Sequence, residues 1–153
     1  MRAIEPWVES PLAGFLAESA ARVTLLMTSS GQVVAQHGFT RSLDVMAAAA
    51  LGAGIMASTS ELAKIMGASP LTAVVHQGTV VGVYLAAFET PRGRWIGLVV
   101  FGQETSIGLV QLFFGRLVEE LARATPPDQP PRQVLAENFE DELNSSLRAL
   151  FGR

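Results

Sequence analysis

The sequence predicts an α+β domain built on an antiparallel sheet, and three observations carry that expectation. Apolar, β-branched runs come in neighbouring pairs joined by short Gly-containing turns, the mark of hairpins rather than of parallel strands linked by crossovers. One Ala-rich, Pro-free run, Ser42 to Gly67, strongly favours helix. The strand runs are almost continuously apolar, which suits a sheet covered on both faces. At 153 residues, 49% of them hydrophobic, the chain suits one compact domain plus an appendage.

Taken in order, Ser10-Pro11 is a cap followed by Pro at a first helical position. Leu12, Phe15, Leu16 and Ala20 then fall at helical spacing, predicting a helix to about Ala21. Trp7 either staples the entry to this helix or lies on the surface. Arg22 to Thr28 and Gln32 to Gly38 match across Ser29-Ser30-Gly31, where Gly31 supplies a positive φ, and read as a hairpin. Ser42 is the expected cap of the long helix, with Asp44 in its first turn; Gly67 ends it and Pro70 stops continuation. Leu71 to His76 and Thr79 to Phe88 flank Gln77-Gly78 as a second hairpin. Glu89 to Arg94 is a polar turn, and Trp95 to Phe101 is the third strand of that meander. A helix follows from Ile107 to Ala124, with Leu109, Leu112, Phe113, Leu117, Val118 and Leu121 as its apolar stripe. Four prolines in Thr125 to Pro131 make a stiff spacer. Arg132 to Phe151 then forms an amphipathic helix, acidic early and basic late as the helix dipole prefers. The expected division is a domain over 1–124, a linker over 125–131 and a terminal helix over 132–153.

The long run would extend roughly 39 Å as helix, more than a small domain covers comfortably. At 100° per residue it separates two faces. Leu51, Ile55, Leu62, Ile65 and Met66 form a bulky face, expected to sit on the sheet. Met46, Ala49, Ala53, Met56, Ser60 and Ala63 form a small, nearly uncharged face. A helix with that side in water would show Lys and Glu there, so the expectation is that a second copy of the chain covers it across a two-fold axis. The terminal helix, with Phe139, Leu143, Leu147 and Phe151 in its stripe, either folds back onto its own domain or its dimer mate, or docks in a groove on a partner.

Composition removes several classes of function. Charged residues are 16% of the chain, below the usual quarter, and a net charge of −3 without a Lys/Arg cluster argues against nucleic-acid binding. With no cysteine there are no disulfides or thiolate metal sites, which fits a cytoplasmic protein, and Met1 to Ser10 lacks the features of a secretory signal. Gly52-Ala53-Gly54-Ile55-Met56-Ala57 matches GxGxxG/A but lacks the preceding strand and the later carboxylate of a dinucleotide site. The uncharged run Val45 to Ser60 falls short of the roughly 20 residues a bilayer needs, so no membrane insertion is expected. There is no GxxxxGK[ST] loop, GxSxG or HExxH, and adjacent acidic pairs such as Glu119-Glu120 diverge by about 100° on a helix. No active site, cofactor or metal is therefore expected. Arg92 and Arg94, on a β-turn, are the weak candidates for an arginine finger, a group that can contribute about 10³ to 10⁵ in GTP hydrolysis.

The element order, with TSSGQVVA (Thr28 to Ala35), HQGTVVGVYLAAF (His76 to Phe88) and LVVFGQETSIGLVQLF (Leu98 to Phe113), resembles the Roadblock family and, within it, the bacterial MglB-like proteins. The resemblance covers roughly Ser10 to Ala124, and the Pro-linked terminal helix is similar to an extension of MglB-like members. It implies a five-stranded antiparallel sheet of the Roadblock/profilin-like kind, with the long helix on one face and the first and last helices on the other. It also implies a homodimer formed through the long helices and the strand edge at Leu71 to His76, which brings in Val74 and His76. The partner it implies is a Ras-like GTPase of the MglA type, whose switch loops such proteins reshape without donating catalytic groups. The terminal helix of such proteins can touch the GTPase separately. The alternative is a non-catalytic scaffold or sensor subunit of a bacterial signalling complex, and a third reading is a small-ligand sensing domain.

Overall fold

The computed structural model describes positions 2–3, 5–39, 43–69, 71–127 and 143–150. A two-residue strand, β1 (Arg2–Ala3), and a 3₁₀ turn (Pro6–Val8) precede helix α1 (Glu9–Ser19). Strands β2 (Val23–Thr28) and β3 (Val33–Gly38) form a hairpin, followed by the long helix α2 (Val45–Ile65). The meander β4 (Ala73–Gln77), β5 (Gly82–Thr90) and β6 (Gly93–Phe101) leads to α3 (Ile107–Ala124). Positions 143–150 form a further helix, α4.

All strand pairings are antiparallel, in the order β1-β3-β2-β6-β5-β4. The five expected strands are present, and β1 adds a short edge against β3 that the sequence did not signal. Each face of this sheet has its own core. On one side α1 and α3 bury Leu12, Phe15, Phe114, Leu117 and Leu121 against Leu26, Tyr84, Phe88 and Trp95. Aromatic rings cement this layer: Phe114 meets Phe15, Tyr84 and Phe88 edge-on at 5.5–5.9 Å, and Trp7 stacks on Trp95 at 5.8 Å. Trp7 therefore staples the entry to α1. On the other side α2 packs on Leu25, Met27, Leu85, Ile96 and Leu98.

Three local expectations shift. Asp44 caps α2, its Oδ1 accepting from Ala47 N at 3.1 Å, while the expected cap Ser42 lies outside the described residues. The stripe that α3 buries is Val110, Phe114, Leu117 and Leu121; Leu109 and Leu112 are exposed, because the sheet meets the helix about one residue round from the predicted line. The sheet is covered on both faces only over its central strands, and β4 is left largely bare. Of the linker, positions 125–127 are described and 128–131 lie outside; Phe139 and Phe151 of the terminal stripe also lie outside the described residues.

Candidate functional site

The candidate site grows from the orientation of α2, and here the structure reverses the predicted faces. Ala49, Ala53 and Met56 are buried against their own sheet, and Ala63 is buried too, so this side of the helix is not open to a partner. The physical reason is proximity. A Cβ placed on Gly52 would lie 3.3 Å from Leu85 and 3.4 Å from Leu98, and Gly31, at φ +94°, brings its turn within contact of Ala50 and Ala53. A helix lying that close to a sheet and a turn has room only for small side chains. Ser60 is half-buried beside them, and Met46 alone of the predicted set is exposed, at 80%.

The bulky face points outward instead. Leu51 is 69% exposed, Leu62 50%, Ile65 82% and Met66 58%, with Ile55 half-buried at the flank. The helix carries only Glu61 and Lys64 as charges, and these pair with each other at 3.1 Å. Gly54 sits in the middle of this exposed surface with nothing within 4 Å of the position a Cβ would take. An interior helical glycine costs about 1 kcal/mol against Ala, and no contact among the described residues recovers it. By length and composition α2 is also the one described helix apolar enough to cross a membrane, but its small-residue face is committed to the sheet.

Beside α2 runs β4, whose outer edge is unpaired among the described residues. Its sequence, AVVHQ, holds none of the Lys or Pro that ordinarily protect an edge strand. Between helix and strand lies an open groove of about 530 Å³ lined by Leu51, Gly54, Ile55, Ser58, Thr59, Leu62, Val74 and His76. The structure thus brings predicted Val74 and His76 together with residues of α2, although not with the α2 residues the sequence pointed to. On the other flank Met46 lines a second groove with Val33, Leu43 and Ala50.

The arginine candidates lie elsewhere. Arg92 Nε is 3.7 Å from Glu5 Oε2, and Arg94 Nη1 is 3.5 Å from Glu89 Oε1; neither lines the α2–β4 groove. Among the described residues no group of three or more His, Cys, Asp or Glu is placed to hold a metal ion. What the arrangement offers is an apolar helix face, a close-approach glycine and an open strand edge, side by side, which is the chemistry of association.

No family sequence model and no curated protein sequence matches the chain. Solved structures do. The gliding protein MglB of Thermus thermophilus is 30% identical, over 77% of this chain and 87% of that one, with a TM-score of 0.68. The chain belongs to the MglB-like group of the Roadblock family. Myxococcus xanthus MglB is 26% identical over 78% of this chain and 95% of its own, with a TM-score of 0.71. A Roadblock/LC7 domain from Streptomyces avermitilis shares the fold at 17% identity, over 70% of this chain and 88% of that one, with a TM-score of 0.60.

Proposed function

We propose that the chain is a cytoplasmic, homodimeric regulator of a small Ras-like GTPase of the MglA type. It has no active site of its own and controls the GTPase's nucleotide state by holding its switch region. Membership of the MglB-like group supports this reading, and the uncharged, exposed face of α2 beside the open edge of β4 carries it. In the dimer the bulky flank, Leu51, Ile55 and Leu62, meets its copy, with Gly54 permitting close approach of the two helices. The β4 strands pair edge to edge through the stretch that includes Val74 and His76. The outer face of the paired helices, where Met46 and Ile65 are the most exposed large apolar side chains of α2, receives the GTPase. Leu143 and Leu147, both exposed on α4, make the auxiliary contact together with Phe139 and Phe151 of the same predicted stripe. The division into a 1–124 domain, a 125–131 linker and a 132–153 helix belongs to this proposal.

The test is phosphate release from a GTP-loaded MglA-type GTPase with and without the protein. Acceleration that Met46→Glu and Ile65→Glu abolish, in a protein that remains dimeric, supports the reading. Binding without acceleration reduces the protein to a scaffold, and no binding to any such GTPase overturns the reading. Arg92→Ala and Arg94→Ala are expected to leave the acceleration within about twofold, because both side chains are tied into ion pairs outside the groove.

A further inference from the structure

His76 is the sole titratable side chain among those that line the α2–β4 groove. It sits on β4 with Val74, on the face turned toward α2, and is exposed in the single chain. From α2 the groove receives Leu51, Gly54, Ile55, Ser58, Thr59 and Leu62, none of them charged. Glu61 and Lys64, the only charges of α2, pair with each other at 3.1 Å and do not line it. Strand β5 sets Val83 opposite His76, while Tyr84, next along, faces the α3 layer of the sheet. Gln77 follows on β4 itself. No carboxylate among the described lining residues can pair with an imidazolium there.

Dimerisation changes what surrounds this ring. Two β4 edges that pair about a two-fold axis run antiparallel, and the bulky flank of each α2 then covers the groove of the other chain. With the axis at Val75, the middle of β4, the two His76 positions lie two residues apart along the strands, about 7 Å, and about 5 Å across them. That is within the roughly 10 Å over which charges act at 0.1 M salt. A neutral imidazole suits this place, since Ser58 and Thr59 offer hydroxyls in the same groove. Two imidazoliums do not: each loses water, neither gains a counter-ion, and they repel one another.

We infer that His76 makes the pairing of two chains pH-sensitive, admitting the dimer when neutral and opening it when protonated. The inference rests on the dimer proposed above and adds its regulation. The sign follows from linkage: separated chains bind protons that the dimer excludes, so association weakens as pH falls through the range in which histidine titrates. Two histidines shed their protons per dimer, so the dissociation constant rises by up to about 100-fold per pH unit at the steep limit. A GTPase-binding surface built from two chains is lost in acid by the same step. His37, the other histidine of the chain, lies on β3 with three strands between it and β4, so it acts on folding and not on the groove.

Sedimentation equilibrium of the full chain at pH 7.5, 6.5 and 5.5 reads the dissociation constant, with circular dichroism following the fold at each pH. The window stays above the range near pH 4 in which carboxyl groups take up protons. From pH 7.5 to 5.5 the wild-type constant is expected to rise by about tenfold or more. His76→Gln, neutral throughout, is expected to hold its constant within about threefold, and His76→Lys, charged throughout, to pair weakly already at pH 7.5. The position is exposed in the single chain, so neither substitution puts folding at risk. A dimer indifferent to pH, a His76→Gln variant that weakens as the wild type does, a His76→Lys variant as tight as the wild type, or unfolding in place of dissociation overturns the inference and leaves the dimer standing. A wild-type single chain at pH 7.5 overturns the dimer itself, and this inference with it.

Discussion

His37 shows how one side chain sets a pH dependence. It lies opposite Thr24 in the β2–β3 ladder, and its Nδ1 and the Thr24 hydroxyl are both buried with no hydrogen-bond partner among the described residues. Burial holds the imidazole pKa below its ordinary 6.5. The folded state therefore favours neutral histidine, and its contribution is complete above about pH 6.5 and declines as pH falls below it. The melting temperature is expected to drop between pH 7.5 and pH 5, and His37→Leu to reduce that drop; an unchanged slope would contradict the assignment. Gly97 makes a steric demand instead: a Cβ there would run into the ring of Phe114. Gly97→Val is expected to destabilise by about 1–3 kcal/mol in chemical denaturation, the usual effect of overpacking. Arg22 and Glu104 bridge 82 residues of sequence with bonds of 2.8 and 3.3 Å, but both are too exposed for the pair to contribute much to stability.

At the scale of elements, most of the fold was legible. Hairpins announce themselves through short Gly turns between β-branched runs, and α2 through its alanines, because these signals are local. What was not legible was which side of α2 faces in. A helical wheel separates Leu51 and Leu62 from Ala49 and Ala53 but carries no direction, and the habit of placing large residues inside inverted the answer. The decisive quantity, the closeness of the helix to Leu85 and Leu98, arises only when residues distant in sequence meet. The cap was misplaced for a similar reason: Ser42 and Asp44 are both good caps, and the bond from Ala47 N selects Asp44. Asp44→Ala is accordingly expected to cost about 0.5–2 kcal/mol, read as a lowered denaturation midpoint. The bare face of β4 was hidden by its own sequence, since AVVHQ looks like any half-buried strand until its place at the sheet edge is known.

For the whole molecule, the proposed function rests on one surface, the α2–β4 groove, through which two copies of the chain would pair. That pairing would build the surface offered to a GTPase, so the dimer is the claim on which the account rests. Sedimentation equilibrium of the wild-type chain and of Leu51→Glu/Leu62→Glu at micromolar concentration tests it most directly. Both substituted positions are exposed in the single chain, so folding is preserved while the contact between copies gains opposed charges. The account predicts a wild-type particle of twice the 16.3 kDa chain mass and a folded variant of single-chain mass. A wild-type protein that sediments as a well-folded single chain, or a variant that remains fully dimeric, would contradict it.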